Sequence, residues 1–158
     1  MIDNFRLDRR RALITGSVRG IGLALARGLA QAGAQVVLNG RDTGRAQSAC
    51  ALLRDEGLDA DYSVFDVSDH QAVVTAIDVL ESRLGPIDIL INNAGLQHRQ
   101  ALQDVSAQDW RRLMSTNLDG VFNVSKAVAR HMIARRRGKI INIGSVQSEL
   151  ARRSIAPY

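Results

Sequence analysis

The sequence predicts a doubly wound α/β fold with a parallel sheet of about five strands, and three observations carry that expectation. Short apolar runs recur with little alternation: Ala12-Leu13-Ile14, Val36-Val37-Leu38, Ile87 to Ile91 and Ile140-Ile141. Runs of that kind suit strands covered on both faces. Stretches of helical character separate them, so strands and helices alternate, and right-handed crossovers then wind the chain about one sheet. A glycine-rich stretch, Thr15-Gly16-Ser17-Val18-Arg19-Gly20-Ile21-Gly22, lies between the first apolar run and a helical stretch. A turn in that setting is a phosphate cradle: glycines admit close backbone approach, and the helix N-terminus offers unpaired N–H groups.

Taken in order, the first strand covers Arg11 to Thr15, and the helix after the glycine turn stops at Gly33. Gln35 to Asn39 is the second strand. Residues 42–57 form a polar-to-amphipathic helix with Leu52 and Leu53 turned inward. Tyr62 to Phe65 is the third strand. Ser68 caps the next helix with Gln71 as its reciprocal partner, and Gly85-Pro86 stops that helix after Leu84. Ile87 to Ile91 is strand four. Ser106 and Asp109 form a capping pair at the start of one long helix to Arg136, with Trp110, Leu113, Met114, Leu118, Val121 and Phe122 on its apolar face. Gly138 ends it, Lys139 to Ile143 is strand five, and the remainder reads as loop. With 158 residues, one domain spanning 1–158 is expected.

Composition narrows the function. Apolar residues make up 46% and charged residues 23%, an ordinary globular balance. Aromatic side chains are few, which leaves little for stacking on nucleic-acid bases. The net charge of +5 is concentrated in Arg9-Arg10-Arg11 and Arg135-Arg136-Arg137. These read as solvated strand and helix ends, so no nucleic-acid partner is expected. The single cysteine, Cys50, excludes an internal disulfide framework and suits a cytoplasmic location. His70 and His131 lack ligand spacing, so no metal site is expected. The N-terminus lacks the apolar core of a signal peptide, and no apolar run reaches membrane-spanning length.

The notable polar positions fall at strand C-termini, where ligands of such sheets bind. Gly16, Ser17, Gly20, Ile21 and Gly22 would line the pyrophosphate. No acidic residue ends strand two. Arg41 stands there instead, and with Arg19 it could grip a ribose 2′-phosphate, favouring NADP(H) over NAD(H). Alternatively both are solvated surface residues. Asp66 either accepts from an adenine amino group, with Val67 against the ring, or is a turn residue leading into the helix. Asn93, Ala94 and Gly95, after Asn92, let a cofactor pass closely or form a simple turn. Asn117 falls on the apolar face of the long helix, and its amide needs a partner there: a water, or a backbone group in a proton path. Ser145 and Tyr158, thirteen positions apart, could hydrogen-bond and protonate a carbonyl.

As a set, Thr15-Gly16-x-x-x-Gly20-x-Gly22, Asn92-Asn93-Ala94-Gly95, Asn117, Ser145 and Tyr158 resemble the short-chain dehydrogenase/reductase family over essentially the whole chain. The resemblance implies an NAD(P)-dependent oxidoreductase on a Rossmann sheet, with Asn117, Ser145 and Tyr158 as catalytic residues. A narrower likeness, in residues 36–42 and 145–152, is to family members acting on sugar acids. It implies hydride transfer between NADPH and a sugar-acid C5. Arg99 is then a partner for the substrate carboxylate or carbonyl, and Gln147 and Glu149 for its hydroxyls. Other readings are reduction of a different carbonyl, such as a 3-oxoacyl thioester, or a nucleotide-binding module without turnover. The family's lysine lies four residues beyond its tyrosine, and its last two strands follow. A chain ending at Tyr158 lacks them and is expected to fold poorly alone and to show no ketone reduction. The family associates through the 106–136 helix and the helix after the tyrosine, so such a chain is not expected to form the family's homo-oligomer.

Overall fold

The computed structural model describes residues 5–150 and 154. Five parallel strands form one sheet: β1 (Arg11–Ile14), β2 (Gln35–Gly40), β3 (Ala60–Val64), β4 (Ile89–Asn92) and β5 (Lys139–Asn142), in the order β3-β2-β1-β4-β5. The chain winds outward from β1 to β3, returns, and continues from β4 to β5 on the other side. That reversal makes the sheet a Rossmann-type, doubly wound one. Register is direct: Ala12 pairs with Val36 and Ile89, and Ile14 with Leu38 and Ile91.

Strand pleating assigns the two cores. Leu13, Val37 and Leu90 face one layer, where they pack with Val73 and Ile77 of α3 (His70–Arg83) and Val124 and Val128 of α5 (Gly120–Ala134). Ala12, Ile14, Val36, Leu38 and Ile91 face the other. There they meet Ala26 and Ala30 of α1 (Gly20–Gln31) and Cys50 and Leu53 of α2 (Thr43–Asp55). Successive strand residues therefore enter opposite cores, which is why the apolar runs are unbroken. β5, by contrast, is exposed along its length among the described residues.

Four expectations are corrected. Of the two leucines expected to turn inward from α2, Leu52 is exposed and only Leu53 is buried. Ser68 does not cap α3. The Asp66 carboxylate takes both its N–H and its hydroxyl, at 2.9 and 2.7 Å, and Asp69 caps the helix by accepting from Ala72 N–H at 3.0 Å. The single long helix is interrupted: α4 (Ala107–Met114) runs into a π-helical turn at Ser115–Asp119 before α5 begins. The inserted turn shifts the helix phase beyond it, so Leu118 and Phe122 do not continue the buried face of Leu113. Leu113 is buried, but Trp110, Leu118 and Phe122 are exposed, and the core is filled by Val124, Ala127, Val128 and Met132. Strands three and four also start or end a residue or two away from the expected limits, at Ala60–Val64 and Ile89–Asn92. The Ser106–Asp109 cap forms as expected, with Asp109 N–H donating to Ser106 Oγ at 3.0 Å. No helix of the described residues is long and apolar enough to cross a membrane.

The reassigned cap is testable. Asp69→Ala should lower stability to urea unfolding by about 1 kcal/mol, more than Ser68→Ala. The reverse order would return the cap to Ser68.

Candidate functional site

At the C-terminal tips of β1, β2 and β4 the chain forms a cavity of about 590 Å³. Its position follows from the reversal of strand order, because the connections leaving β1 and β4 diverge there. The turn from β1 into α1 forms its floor. Gly16 sits at φ +61°, where L side chains are disfavoured, and a Cβ there would lie 2.8 Å from Ala94 Cα. A Cβ on Gly22 would lie 2.6 Å from both Asn93 Nδ2 and Gly16 O. The cradle thus exists only because these positions are glycine.

Hydrogen bonds hold the cradle to its neighbours. Thr15 Oγ1 accepts from the N–H groups of Asn93 and Ala94, each at 3.0 Å. The Asn93 amide donates to Thr15 O and Gly16 O at 3.0 and 3.1 Å. From β2, Asn39 Oδ1 accepts from Gly16 N–H at 3.2 Å, while its amide nitrogen donates to Ser63 O and Phe65 O. One side chain therefore joins the turn, β2 and the end of β3.

Helices α2, α3 and α4 each begin with a side-chain cap, from Asp42, Asp69 and Ser106. Helix α1 begins at Arg19 with none. Its first N–H groups and the positive end of its dipole therefore open toward the cavity, an environment that favours an anion. These features fit the diphosphate of a dinucleotide.

Of the residues singled out for a coenzyme, Gly16, Arg19, Gly20, Ile21, Gly22, Arg41, Asp66, Val67, Asn93, Ala94 and Gly95 all line this cavity. Ser17 does not. It is fully buried beneath the turn, its hydroxyl donating to Ile14 O at 2.7 Å and accepting from Asn39 N–H at 3.0 Å. Arg45, Asn39, Phe65 and Thr116 line the cavity although the sequence reading did not select them. For Arg45 the available signal was its spacing of four from Arg41.

Arg41 and Asp66 approach each other across the opening, Nη1 to Oδ2 at 3.5 Å. Burial by itself would raise the Asp66 carboxyl. Hydrogen bonds from the Ser68 hydroxyl and N–H, with the Arg41 charge, outweigh it and hold the group below the usual aspartate value.

Asn117, Ser145, Arg99, Gln147 and Glu149 do not line this cavity. Asn117, in the π-helical turn, is half-buried rather than enclosed in the core. Both ends of its amide are used on Leu96: Oδ1 accepts from the N–H at 2.7 Å, and Nδ2 donates to the carbonyl at 2.9 Å. It thereby fixes the strand-four loop that lines the cavity. Ser145 precedes a 3-10 turn at Val146–Ser148 and accepts from Gln147 N–H at 3.2 Å. Gln147 Oε1 is buried with no hydrogen-bond partner among the described residues. Arg99 is exposed and its guanidinium makes no hydrogen bond or ion pair among the described residues, and Glu149 is exposed. Gln100 N–H donates to Ser154 O at 2.8 Å, so the loop after β4 and the segment after β5 run together. Tyr158 lies outside the described residues. Among those described, no His, Cys, Asp and Glu cluster could hold a metal ion.

Comparisons with known proteins agree with this geometry. The family model for short chain dehydrogenases matches residues 10–158. A gluconate 5-dehydrogenase of Gluconobacter oxydans is 58% identical, across 99% of this chain and 61% of the relative. A 5-keto-D-gluconate 5-reductase of Escherichia coli K12 is 44% identical, across 100% of this chain and 62% of the relative. The crystal structure of a gluconate 5-dehydrogenase from Burkholderia cenocepacia, in complex with NADP and tartrate, superposes with a TM-score of 0.95 at 63% identity. It is matched by 99% of this chain over 61% of its own length. The chain thus spans about three-fifths of the relatives it matches.

The lowered Asp66 value carries a pH signature. Because the folded value lies below the unfolded one, the contribution is complete above the ordinary aspartate pKa of about 3.9 and is lost as pH falls through the folded value. In urea titrations at pH 2 to 6 (roughly the carboxylate range), Asp66→Asn should flatten that part of the stability profile. An unchanged slope would remove Asp66 as a source of acid sensitivity.

Proposed function

The chain belongs to the short chain dehydrogenase family, and on that premise we propose that it carries the coenzyme site of an NADP(H)-dependent sugar-acid oxidoreductase. The reaction is hydride transfer between NADPH and the C5 ketone or alcohol of a substrate of the 5-ketogluconate/gluconate type. The observation that carries this reading is the glycine cradle opening onto a cavity with Arg19 and Arg41 on its wall. We read residues 1–158 as one coenzyme-binding unit, and the lone buried Cys50 suits a reducing cytoplasm.

The residues divide the work along the strand tips. Gly16 to Gly22 and the uncapped start of α1 take the diphosphate. Arg19 and Arg41 take the ribose 2′-phosphate, for which Arg41 must leave Asp66; the freed carboxylate is then available to the adenine amino group, beside Val67. Asn93, Ala94 and Gly95 lie along the passage toward the nicotinamide. When bound, NADPH supplies the hydride. Ser145 donates to the substrate carbonyl oxygen, and the Tyr158 phenol gives it a proton. Asn117 acts as a positioning residue through its two bonds to Leu96. Arg99, without a partner among the described residues, takes the substrate carboxylate, and Gln147 Oε1, a buried acceptor with no donor among them, takes a sugar hydroxyl. Glu149 offers a further acceptor. The gluconate-type names of the relatives and the NADP and tartrate of the Burkholderia structure support both assignments.

Coenzyme choice is read by fluorescence titration. Arg41→Ala and Arg19→Ala should each weaken NADPH binding by about tenfold and leave NADH nearly unaffected. Equal loss for both coenzymes would remove the 2′-phosphate assignment. Substrate class is read at 340 nm on the protein completed to the length of its relatives: 5-ketogluconate should drive NADPH oxidation in preference to an acetoacetyl thioester. In that assay Gln147→Ala should raise KM with a smaller effect on kcat. Preference for the thioester would overturn the sugar-acid reading.

A further inference from the structure

The two arginine runs that the proposed reaction does not use come together at the opposite edge of the sheet. A cleft of about 290 Å³ opens there, at the N-terminal ends of the strands, with Arg9, Arg10, Arg11 and Arg137 on its walls. Asp88, immediately before β4, lies at its base and is 5% exposed. Its carboxylate accepts from Arg11 N–H at 3.1 Å, pairs with Arg10 at 3.6 Å and takes a hydrogen bond from Arg137. One buried carboxylate thus gathers guanidinium groups from sequence positions more than a hundred residues apart and points them into one space.

The charges do not balance. Four guanidiniums line the cleft against two carboxylates, Asp88 and Asp59. Arg11 spends its side-chain donors on neutral acceptors, Gln35 Oε1 and Pro86 O, so no carboxylate pairs directly with its charge. Arg9 makes no hydrogen bond or ion pair among the described residues. It also sits at φ +61°, a backbone conformation that costs a non-glycine residue energy and that persists only when its surroundings enforce it. Among the described residues the Arg10 side chain is held only by its long contact with Asp88. Several unused N–H donors therefore share a concave, electropositive space with room for a tetrahedral oxyanion. Guanidinium forks match such an anion geometrically.

We propose that this cleft is an anion site for a phosphate-class dianion, held by Arg9, Arg10 and Arg137 and separate from the coenzyme cavity. The dianion is either free inorganic phosphate or the phosphate group of a small metabolite. In both cases the chemistry is the same: charge-assisted bonds from the Arg10 and Arg137 guanidiniums, which Asp88 orients, and from Arg9 beside them. The site does not depend on the proposed reaction.

The test is calorimetric titration of inorganic phosphate into the purified protein at constant ionic strength, with NADP⁺ present to occupy the glycine turn. Saturable binding is expected. It should weaken severalfold in Arg9→Ala and by about tenfold or more in Arg9→Ala/Arg10→Ala, with NADPH affinity unchanged in both. Arg9→Ala breaks no bond within the fold, so its result stands even if the double variant is less stable. Glucose 6-phosphate that displaces inorganic phosphate assigns the site to phosphorylated metabolites; failure to displace it assigns the site to the free ion. No saturable binding, equal binding by the arginine variants, or the same heat from chloride would overturn the proposal.

Discussion

The arrangement depends on the attachment of the first strand's turn to the tip of the fourth. Thr15 and Asn93 exchange hydrogen bonds through side chain and backbone, and the Asn93 amide also reaches Gly16 O. Strand order places β4 beside β1 although three helices and two strands separate them in the chain. Without that clasp the two diverging connections would have no fixed relation. With it, the crevice left by the reversal of winding becomes a floor of defined shape, and Asn39 braces it from the other side.

The same tips show where the molecule gives up local stability. A capped helix start is worth about 1 kcal/mol, and α2, α3 and α4 all have one. Helix α1 forgoes it, and its turn requires left-handed glycine at Gly16 and Gly20. Its open N–H groups and dipole are available to an anion, which would restore what the missing cap withholds. The π-helical turn at Ser115–Asp119 follows a similar pattern: it interrupts a continuous helix and presents Asn117 to the Leu96 backbone, holding the other wall of the cavity.

The arginine runs show how charge is managed at the far edge. Arg135 joins the end of α5 to Glu81 of α3 at 3.0 Å and to the Ile87 carbonyl, while Arg137 reaches Asp88. Strand ends there are tied by ion pairs that are partly withdrawn from water, unlike the exposed pairs elsewhere on the surface, such as Arg6 with Asp8. A sequence reading of these runs as solvated termini captures their position at element ends and misses their convergence on one carboxylate.

The linear chain determined the sheet, its winding and the glycine cradle. Apolar runs, helix stops and φ > 0 glycines act over a few residues, and their consequences can be read from neighbours alone. It also marked eleven of the nineteen residues that line the cavity, because ligands of a doubly wound sheet lie at strand ends whatever the loops do. Other features turned on which of several available partners a side chain took, near or distant in sequence. Asp66 captured Ser68 within the turn and left the cap to Asp69, and beyond the π-helical turn Leu118 and Phe122 stand outside the core. Ser17 was drawn under the turn by Asn39, and Arg45 reached the cavity from α2. For Ser17 and Arg45 several partners lay within reach of the local sequence, and packing against another element chose among them.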